Sequence, residues 1–396
     1  MIHGETHKQR PGLRWFAIFL GACALAACRA GGIESGPLVA TRDTAADTVF
    51  VKTASGSVWE KPITLREDLR IGSLSGDGPA AFGEILQVAV ERDGSILVFD
   101  GQVPALRRFS STGRYLGTVG RRGQGPGEYG ARPTGLMVDH QGRIILSDPS
   151  NTRLSAFSSS GEFLGSLGAV SGLRTLFGQI VSEDQRGQLY IHVVMVQPGP
   201  GVRMPTPWPI GAEVRRPDGK VLDTIPPPLL DGKPASFFAI LPDGSVLAAT
   251  TKEPVFEVQH EGGGVLRVEM PFKRMPYTEA ERAKLRIALR PAAAADGATT
   301  VRVPEEKPAY VAALVGPSGT LWLRRPVQPR SEKEVGAVPR FQASVLDVFK
   351  PDGTYLGVVE LPPCSMPVVV GKTELYAIQL GKYDEQYVVR YKLELP

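Results

Sequence analysis

The sequence is poor in the residues that most often build catalytic and metal centres, with only 3 Cys and 5 His among 396 residues. It has no C-x-x-C pair and no G-x-S-x-G nucleophile motif. Its charges nearly balance, with 45 Lys and Arg against 41 Asp and Glu, and no run of five basic residues occurs. We therefore expect no nucleic-acid partner. Hydrophobic residues make up 42% of the chain, which excludes disorder for most of it.

A long hydrophobic run is also missing. The apolar stretch Trp15 to Ala27 has 13 residues, whereas a membrane-spanning helix needs about 20. A basic start and a short apolar run are typical of a secretory signal, which we predict at 1–27. The run ends in Leu25-Ala26-Ala27-Cys28, which resembles the lipobox of bacterial lipoproteins. The resemblance implies lipidation of Cys28 and a lipid-anchored place in the bacterial envelope, at the outer membrane or periplasmic face. The alternative is a plain signal peptide with a chance cysteine.

Beyond Cys28 the chain has a single cysteine, Cys364, so no intramolecular disulfide can form after export. We interpret Cys364 as structural. Residues 28–57 are rich in Gly, Ala, Ser, Thr and Asp and show little periodicity. We predict that they form a flexible tether between the anchor and a folded domain at 58–396.

An internal repeat organises that domain. Residues 88–120 and 136–168 align at an offset of 48 without gaps, and twelve of the 33 positions are identical. Each copy has four alternating apolar runs, and a Gly-containing turn joins the first to the second and the third to the fourth. In the first copy the predicted strands are Leu86–Val90, Ile96–Phe99, Leu106–Phe109 and Tyr115–Val119.

Glycine pairs mark three further units, and a sixth unit near the C-terminus has only three strands. The missing strand is predicted before Gly72, because Gly76-Asp77-Gly78-Pro79 repeats the Gly123-Gln124-Gly125-Pro126 that follows a complete unit. Joining the two chain ends closes a ring and removes exposed sheet edges. We therefore predict an all-β fold, a six-bladed β-propeller of four-stranded blades closed by an N-terminal strand. The glycine pairs are Gly187/Gly219, Gly244/Gly263 and Gly319/Gly353.

The first two units resemble NHL repeats. The resemblance is carried by Gly125-Pro126-Gly127-Glu128-Tyr129 and by the run Asp148 to Leu154. It is clear over 70–168 and weakens afterwards. The chain as a whole is similar to six-bladed propeller lipoproteins of bacteria.

The extra length of the later units falls on one face. In a four-stranded blade, the two hairpin turns lie on one face, here the short-turn face. The second-to-third loops and the blade-to-blade connections lie on the other, here the insertion face. Insertions around 197–210, 324–340 and 271–308 all open on the insertion face, where binding is expected. Thr278 and Glu281 form a capping-box pattern that predicts a short helix at 279–290, ended by Pro291.

Candidate ligand-binding residues cluster on the predicted insertion face. Arginine suits bidentate recognition of a carboxylate or phosphate, and a proline-flanked tryptophan is a plausible binding platform. Asp148, like its repeat partner Asp100, is predicted to accept backbone N–H groups in the following loop, or alternatively to belong to a metal site in the channel. The candidates are Arg121, Arg122, Asp148, Asn151, Arg153 and Trp208.

No cofactor, metal or catalytic residue is predicted. His140 and His260 are placed beside short turns and His192 inside a strand, too far apart for one zinc site. The leading hypothesis is a monomeric, lipid-anchored propeller that binds a small ligand or an envelope protein without catalysis. The alternative is a metal-dependent hydrolase or lyase with its site at the channel mouth. Fold alone cannot separate them, because propellers support many functions.

Overall fold

The computed structural model describes residues 36–74, 77–170, 181–194, 210–271, 273–295, 303–337 and 339–394. The predicted signal peptide, Cys28 and Trp208 lie outside these ranges. Among the described residues, no helix is long and apolar enough to cross a membrane. The described part of the chain begins with three strands, β1 (Val39–Ala45), β2 (Thr48–Ser55) and β3 (Leu65–Ile71).

Blades 1 to 3 follow in chain order. A 3-10 helix at Pro149–Asn151 lies inside blade 2, and two minor pairs occupy connections. Blade 1 consists of β4 (Ile85–Val90), β5 (Ile96–Asp100), β6 (Ala105–Phe109) and β7 (Tyr115–Val119), and the minor pair β8 (Arg121–Arg122) and β9 (Glu128–Tyr129) lies in the connection that follows it. Blade 2 consists of β10 (Gly135–Val138), β11 (Ile144–Asp148), β12 (Arg153–Phe157) and β13 (Phe163–Ser166). Blade 3 consists of β14 (Val181–Glu183), β15 (Leu189–Val194), β16 (Ile210–Arg215) and β17 (Val221–Ile225), and is followed by the minor pair β18 (Leu229–Leu230) and β19 (Lys233–Pro234).

Blades 4 to 6 carry both α-helices that occur among the described residues. Blade 4 consists of β20 (Phe237–Ile240), β21 (Val246–Ala249), β22 (Val255–Gln259) and β23 (Val265–Glu269), and is followed by α1 (Glu279–Ala295). Blade 5 consists of β24 (Ala312–Val315), β25 (Leu321–Pro326), β26 (Ser344–Phe349) and β27 (Tyr355–Glu360), with α2 (Glu332–Gly336) and a 3-10 helix (Pro339–Phe341) between its second and third strands. Blade 6 contains β28 (Ser365–Val370), β29 (Glu374–Leu380) and β30 (Gln386–Leu393).

The six sheets form a ring with the first strand of each blade innermost. Strand β4 contacts β10, β10 contacts β14, β20 contacts β24, β24 contacts β28, and β28 returns to β4. The predicted six-bladed propeller is thus confirmed. Apolar side chains fill the spaces between blades, as where Phe256 of blade 4 meets Phe349 of blade 5 at 4.9 Å between ring centroids. The repeated hairpins have the expected cause, since Gly94 and Gly113 adopt φ of 82° and 83° in the turns of blade 1.

The ring closes as predicted. Strand β3 pairs antiparallel with β30, from Leu65 opposite Leu393 to Ile71 opposite Val388, and so supplies the fourth strand of blade 6. Ile71 is buried in a core cluster that contains residues of blades 6 and 1, including Ile85 and Ile378. The closure therefore combines a hydrogen-bonded ladder with shared hydrophobic packing.

The prediction of a flexible tether over 28–57 is wrong for its described second half. Strands β1 and β2 form a hairpin, and β2 pairs parallel with β23, so that blade 4 belongs to a six-stranded sheet. The alternation of Val49, Val51 and Thr53 along β2 fits a half-buried strand, with Val51 and Thr53 buried. The many small polar residues around them conceal this pattern in the sequence.

The segment after the hairpin continues around the outside of blade 5. The N–H groups of Val58 and Trp59 donate to the carbonyls of Tyr355 and Leu356 in β27, and Ile63 forms a parallel bridge with Val359. Residues 39–71 therefore form a belt along the outer edges of blades 4, 5 and 6. This belt covers strand edges that would otherwise expose unpaired backbone groups.

The predicted helix is present but longer than expected, because α1 continues past Pro291 to Ala295. A proline inside a helix removes one backbone hydrogen bond, whereas the alanines that follow have the highest helix propensity. The capping box is confirmed: the Thr278 N–H donates to Glu281 at 2.9 Å, and the Glu281 N–H donates to Thr278 Oγ1 at 3.2 Å. The short helix α2 was not predicted.

The belt generates a stability prediction. Ile63→Ala should lower the free energy of unfolding by about 2–5 kcal/mol, because Ile63 is only 6% exposed and packs between the belt and blades 5 and 6. Val58→Ala, in the same segment but 47% exposed, is the matched control and should change it by less than about 0.5 kcal/mol. Urea unfolding of both variants measures the difference. Equal stabilities would mean that the belt contributes nothing to closure.

Candidate functional site

The predicted binding residues surround the connection between blades 1 and 2, residues 120–134. Two of them support its backbone: Asn151 Nδ2 donates to the Gly123 carbonyl at 2.8 Å, and Arg153 donates to the Gln124 carbonyl at 2.6 Å. Arg121 donates to Glu128 at 2.7 Å while its side chain remains 82% exposed. Arg122 is exposed and forms no hydrogen bond or ion pair within the described part of the chain. The structure thus brings these four residues together on one loop.

Glu128 and Tyr129 explain why this loop is ordered. Glu128 accepts the Gly125 N–H at 2.7 Å, and this bond together with Arg121 lowers the pKa of Glu128. The buried Tyr129 hydroxyl accepts from the Leu106 N–H and donates to the Val119 carbonyl, both at 3.0 Å. The hydroxyl therefore fastens the connection to blade 1.

Asp148 occupies a structural position. It is fully buried and accepts the N–H groups of Gly130 at 2.7 Å and Ser150 at 3.1 Å. Asp100 repeats the arrangement, with N–H bonds from Glu84 and Gln102 at 3.1 and 3.0 Å. The interpretation of both carboxylates as acceptors for loop backbone is confirmed, and this use explains their recurrence.

A charged cluster that the sequence analysis did not find lies at the insertion-face end of the channel. Glu84 precedes β4, and Arg132, near the start of blade 2, donates two hydrogen bonds to it at 2.9 and 3.0 Å. Arg340, carried by the insertion of blade 5, lies 3.8 Å from the same carboxylate and forms no hydrogen bond within the described residues. Two guanidinium groups therefore share one carboxylate, and burial is the main cause that lowers the pKa of Arg340.

A third arginine lies below this insertion. Arg324 is 6% exposed, and its guanidinium donates to Ser344 Oγ at 2.8 Å and to the Gln342 carbonyl at 3.1 Å. No carboxylate pairs with it among the described residues, and burial lowers its pKa to about 10. The same insertion thus covers Arg324, a buried cation without a carboxylate partner among the described residues, and presents Arg340, which shares Glu84 with Arg132. We call Glu84, Arg132 and Arg340 the arginine cluster.

The two described insertions form a packed layer rather than separate loops. Lys307 Nζ donates to Glu281 of α1 and, at 2.8 Å, to the Val327 carbonyl in the blade 5 insertion. Glu281 and Lys307 are 1% and 6% exposed. Arg330 extends the layer by pairing with Glu334 at 2.8 Å and donating to the Leu361 carbonyl at 2.9 Å. Buried ion pairs of this kind impose a specific geometry on the layer.

The opposite end of the channel differs in chemistry. A cavity of about 300 Å³ lies where the first strands of the blades end, beside the short-turn face. Most of the residues that line it are aliphatic, among them Val90, Val138, Val315 and Val370, although polar atoms form more of its surface than apolar ones. Glu183, also in the lining, accepts from the His140 N–H at 2.6 Å and contacts the His140 ring.

The histidines are separated, as predicted. His260 Nδ1 lies 3.0 Å from Ser245 Oγ. His192 stacks on Phe238 with ring centroids 4.1 Å apart, and burial lowers the pKa of His192 to about 4. In the ranges that the structure describes, no group of three or more His, Cys, Asp or Glu residues could hold a metal ion. Cys364 is buried and unpaired, and burial raises its pKa.

Comparisons with known proteins agree on the fold. Residues 79–168 match the family DUF5128, described as a 6-bladed beta-propeller. No curated protein matches the sequence. A member of the duf4221 family from Bacteroides vulgatus is similar in structure, with 12% identity, a TM-score of 0.51 and coverage of 84% of this chain and 98% of that chain.

Two further solved structures extend the comparison. A Bacteroides fragilis protein titled as exported has 10% identity, a TM-score of 0.49 and coverage of 84% of this chain and 95% of its own. Virginiamycin B lyase from Staphylococcus aureus has 10% identity, a TM-score of 0.42 and coverage of 78% and 94%. At these identities the likeness concerns the fold alone.

The insertion layer generates a second prediction. Glu281→Gln should lower the free energy of unfolding by about 3–5 kcal/mol, because it leaves the buried Lys307 ammonium without its carboxylate. Glu279→Gln, on the same helix turn but exposed, should cost less than about 1 kcal/mol. Thermal and urea unfolding distinguish them. A Glu281→Gln protein as stable as Glu279→Gln would show that the layer is not held by this pair.

Proposed function

We propose that this protein is an exported, lipid-anchored propeller that binds an acidic ligand, or an acidic group of an envelope protein, on its insertion face without catalysing a reaction. The arginine cluster carries the proposal. The Arg132 and Arg340 guanidinium groups share the Glu84 carboxylate at the end of the channel, which leaves positive charge for an incoming carboxylate or phosphate. Arg121 and Arg122 add exposed basic charge on the neighbouring loop.

The physical reason for this preference is the environment of the arginines. A buried cation without a counter-ion is unfavourable, and a bound anion would relieve that cost. Arg324 meets this condition, and Arg340 retains unused donors at partial exposure. Planar guanidinium groups also favour bidentate oxyanions over point contacts. A ligand with one carboxylate or phosphate group fits these donors.

The envelope location rests on the first 28 residues. The basic start, short apolar run and Leu25-Ala26-Ala27-Cys28 support export and lipidation. Multiple acyl chains on one cysteine would provide stable anchoring, whereas a single chain binds membranes only marginally.

Binding can be tested with inorganic phosphate and citrate as probes. Isothermal titration at low salt should detect binding to the wild-type protein, and Arg340→Ala should weaken it by about tenfold or more, as expected for loss of a charge-assisted hydrogen bond. Arg114→Ala, which removes an exposed arginine in a hairpin turn on the short-turn face, is the matched control and should bind normally. Absence of binding by the wild type, or equal losses in both variants, would refute the assignment to the arginine cluster.

Lipidation needs its own test. Cells that express the protein with labelled palmitate should incorporate the label, and Cys28→Ala should remove it, because Cys28 is the predicted acceptor. Cys364→Ala is the control and should keep the label, since that cysteine is buried in the folded domain. Equal labelling of all three proteins would exclude Cys28 as the site.

A further inference from the structure

Helix α1 has a well-defined inner side. Glu281 is buried and paired with Lys307, and Leu285, four residues later, is half-buried. Residues three and four apart share one side of a helix. The inner side of α1 is therefore fixed on the insertion layer, and the remaining sides face outward.

The outward side combines exposed apolar and basic residues. Ile287 lies opposite Glu281 and Leu285 around the helix and is 63% exposed. Ala283 lies one turn before Ile287 and is also exposed. Lys284 and Arg290 flank this apolar strip, are exposed and have no hydrogen bond or ion pair within the described residues. An apolar strip with basic flanks is typical of helices that lie on anionic membranes.

The chain topology places the N-terminal end of the described chain near the connection to α1. Strands β2 and β23 are parallel, so Ser55, its partner Val39 and the connection that follows Glu269 all leave the same end of this sheet edge. That connection leads directly to Thr278 and α1. The chain that runs from the predicted anchor therefore enters the fold where the connection to α1 begins.

The length of that chain limits the distance to the bilayer. Ten residues, 29–38, separate Cys28 from Val39, and the eleven steps along the chain span about 40 Å at most. The predicted tether of thirty residues is shortened to this segment because 39–55 is folded. With the proposed lipid on Cys28, this segment would keep Val39 within about 40 Å of the bilayer surface.

We propose that the outward side of α1 docks on an anionic phospholipid surface, with Ile287 at the acyl boundary and Lys284 and Arg290 against the headgroups. The proposal rests on the lipid anchor proposed at Cys28. Each basic residue near an anionic surface strengthens binding about fivefold. The anchor supplies proximity, and α1 sets which side of the propeller faces the bilayer.

The test uses the full-length lipidated protein in vesicles. The Ala283→Cys protein is labelled with an environment-sensitive fluorophore at residue 283, so that Ile287 stays unchanged. Quenchers attached to the lipids report how deeply the fluorophore enters the bilayer. In vesicles of phosphatidylcholine with phosphatidylglycerol, the emission maximum of the fluorophore should shift to shorter wavelength and its fluorescence should be quenched. In vesicles of phosphatidylcholine alone, both effects should be small. Leu164→Cys, a half-exposed position on β13 of blade 2, is the matched control and should show neither effect.

Charge reversal completes the experiment. Lys284→Glu/Arg290→Glu in the Ala283→Cys protein should lower the ratio of docked to undocked α1 by about 25-fold or more, while thermal unfolding shows that the fold is intact. Flotation with vesicles reports the anchor separately. A protein that floats but shows no quenching at residue 283 overturns the docking proposal and leaves the anchor in place. A protein that does not float with the vesicles refutes the lipid anchor but not the docking of α1. Docking is still measured in that case, because quenching of the fluorophore on added vesicles reports whether α1 binds them from solution.

Discussion

The pairing of β3 with β30 is the interaction on which the rest of the structure depends. A linear array of four-stranded sheets leaves an unpaired edge at each end, and each blade can bury its faces only against neighbours. When Leu65–Ile71 joins the C-terminal blade, the first and last sheets share one core, which contains Ile71, Ile85 and Ile378. The channel, its two ends and the position of every insertion exist only once this ring is closed.

The ring also explains why the two faces differ in chemistry. The hairpin turns are short and repeated, so the short-turn face varies little and most of the residues that line the cavity beside it are aliphatic. The other connections must cross between strands or blades and can lengthen without disturbing the ladders. In this chain they have grown into a layer with its own buried ion pair, Glu281 and Lys307. A rigid layer can hold Arg340 near Glu84 and Arg132, where a flexible loop would lose that placement to conformational entropy.

Much of the fold could be predicted from local patterns, and the failures have specific causes. The hairpins of the first two blades follow from alternating apolar residues and from glycines with positive φ at the turns. The hairpin at 39–55 was missed because its strands depend on β23, more than two hundred residues away, rather than on their own composition. Pro291 did not end α1, and the helix continues through the alanines that follow, which are the best helix formers.

The candidate site also has some features that local sequence patterns predict and others that depend on tertiary contacts. The grouping of Arg121, Arg122, Asn151 and Arg153 could be predicted, because all lie within or next to one repeat-defined connection, but the structure uses two of them to hold backbone carbonyls. The arginine cluster has no sequence signature, since its members come from three blades and are separated by up to 256 positions. The sequence by itself determined the repeat, the closure of the ring, the capping box and the predicted export signal, which are all local or periodic properties. Only the tertiary structure decided which charges remain unpaired, because a counter-ion is a neighbour in space and burial decides how much its absence costs.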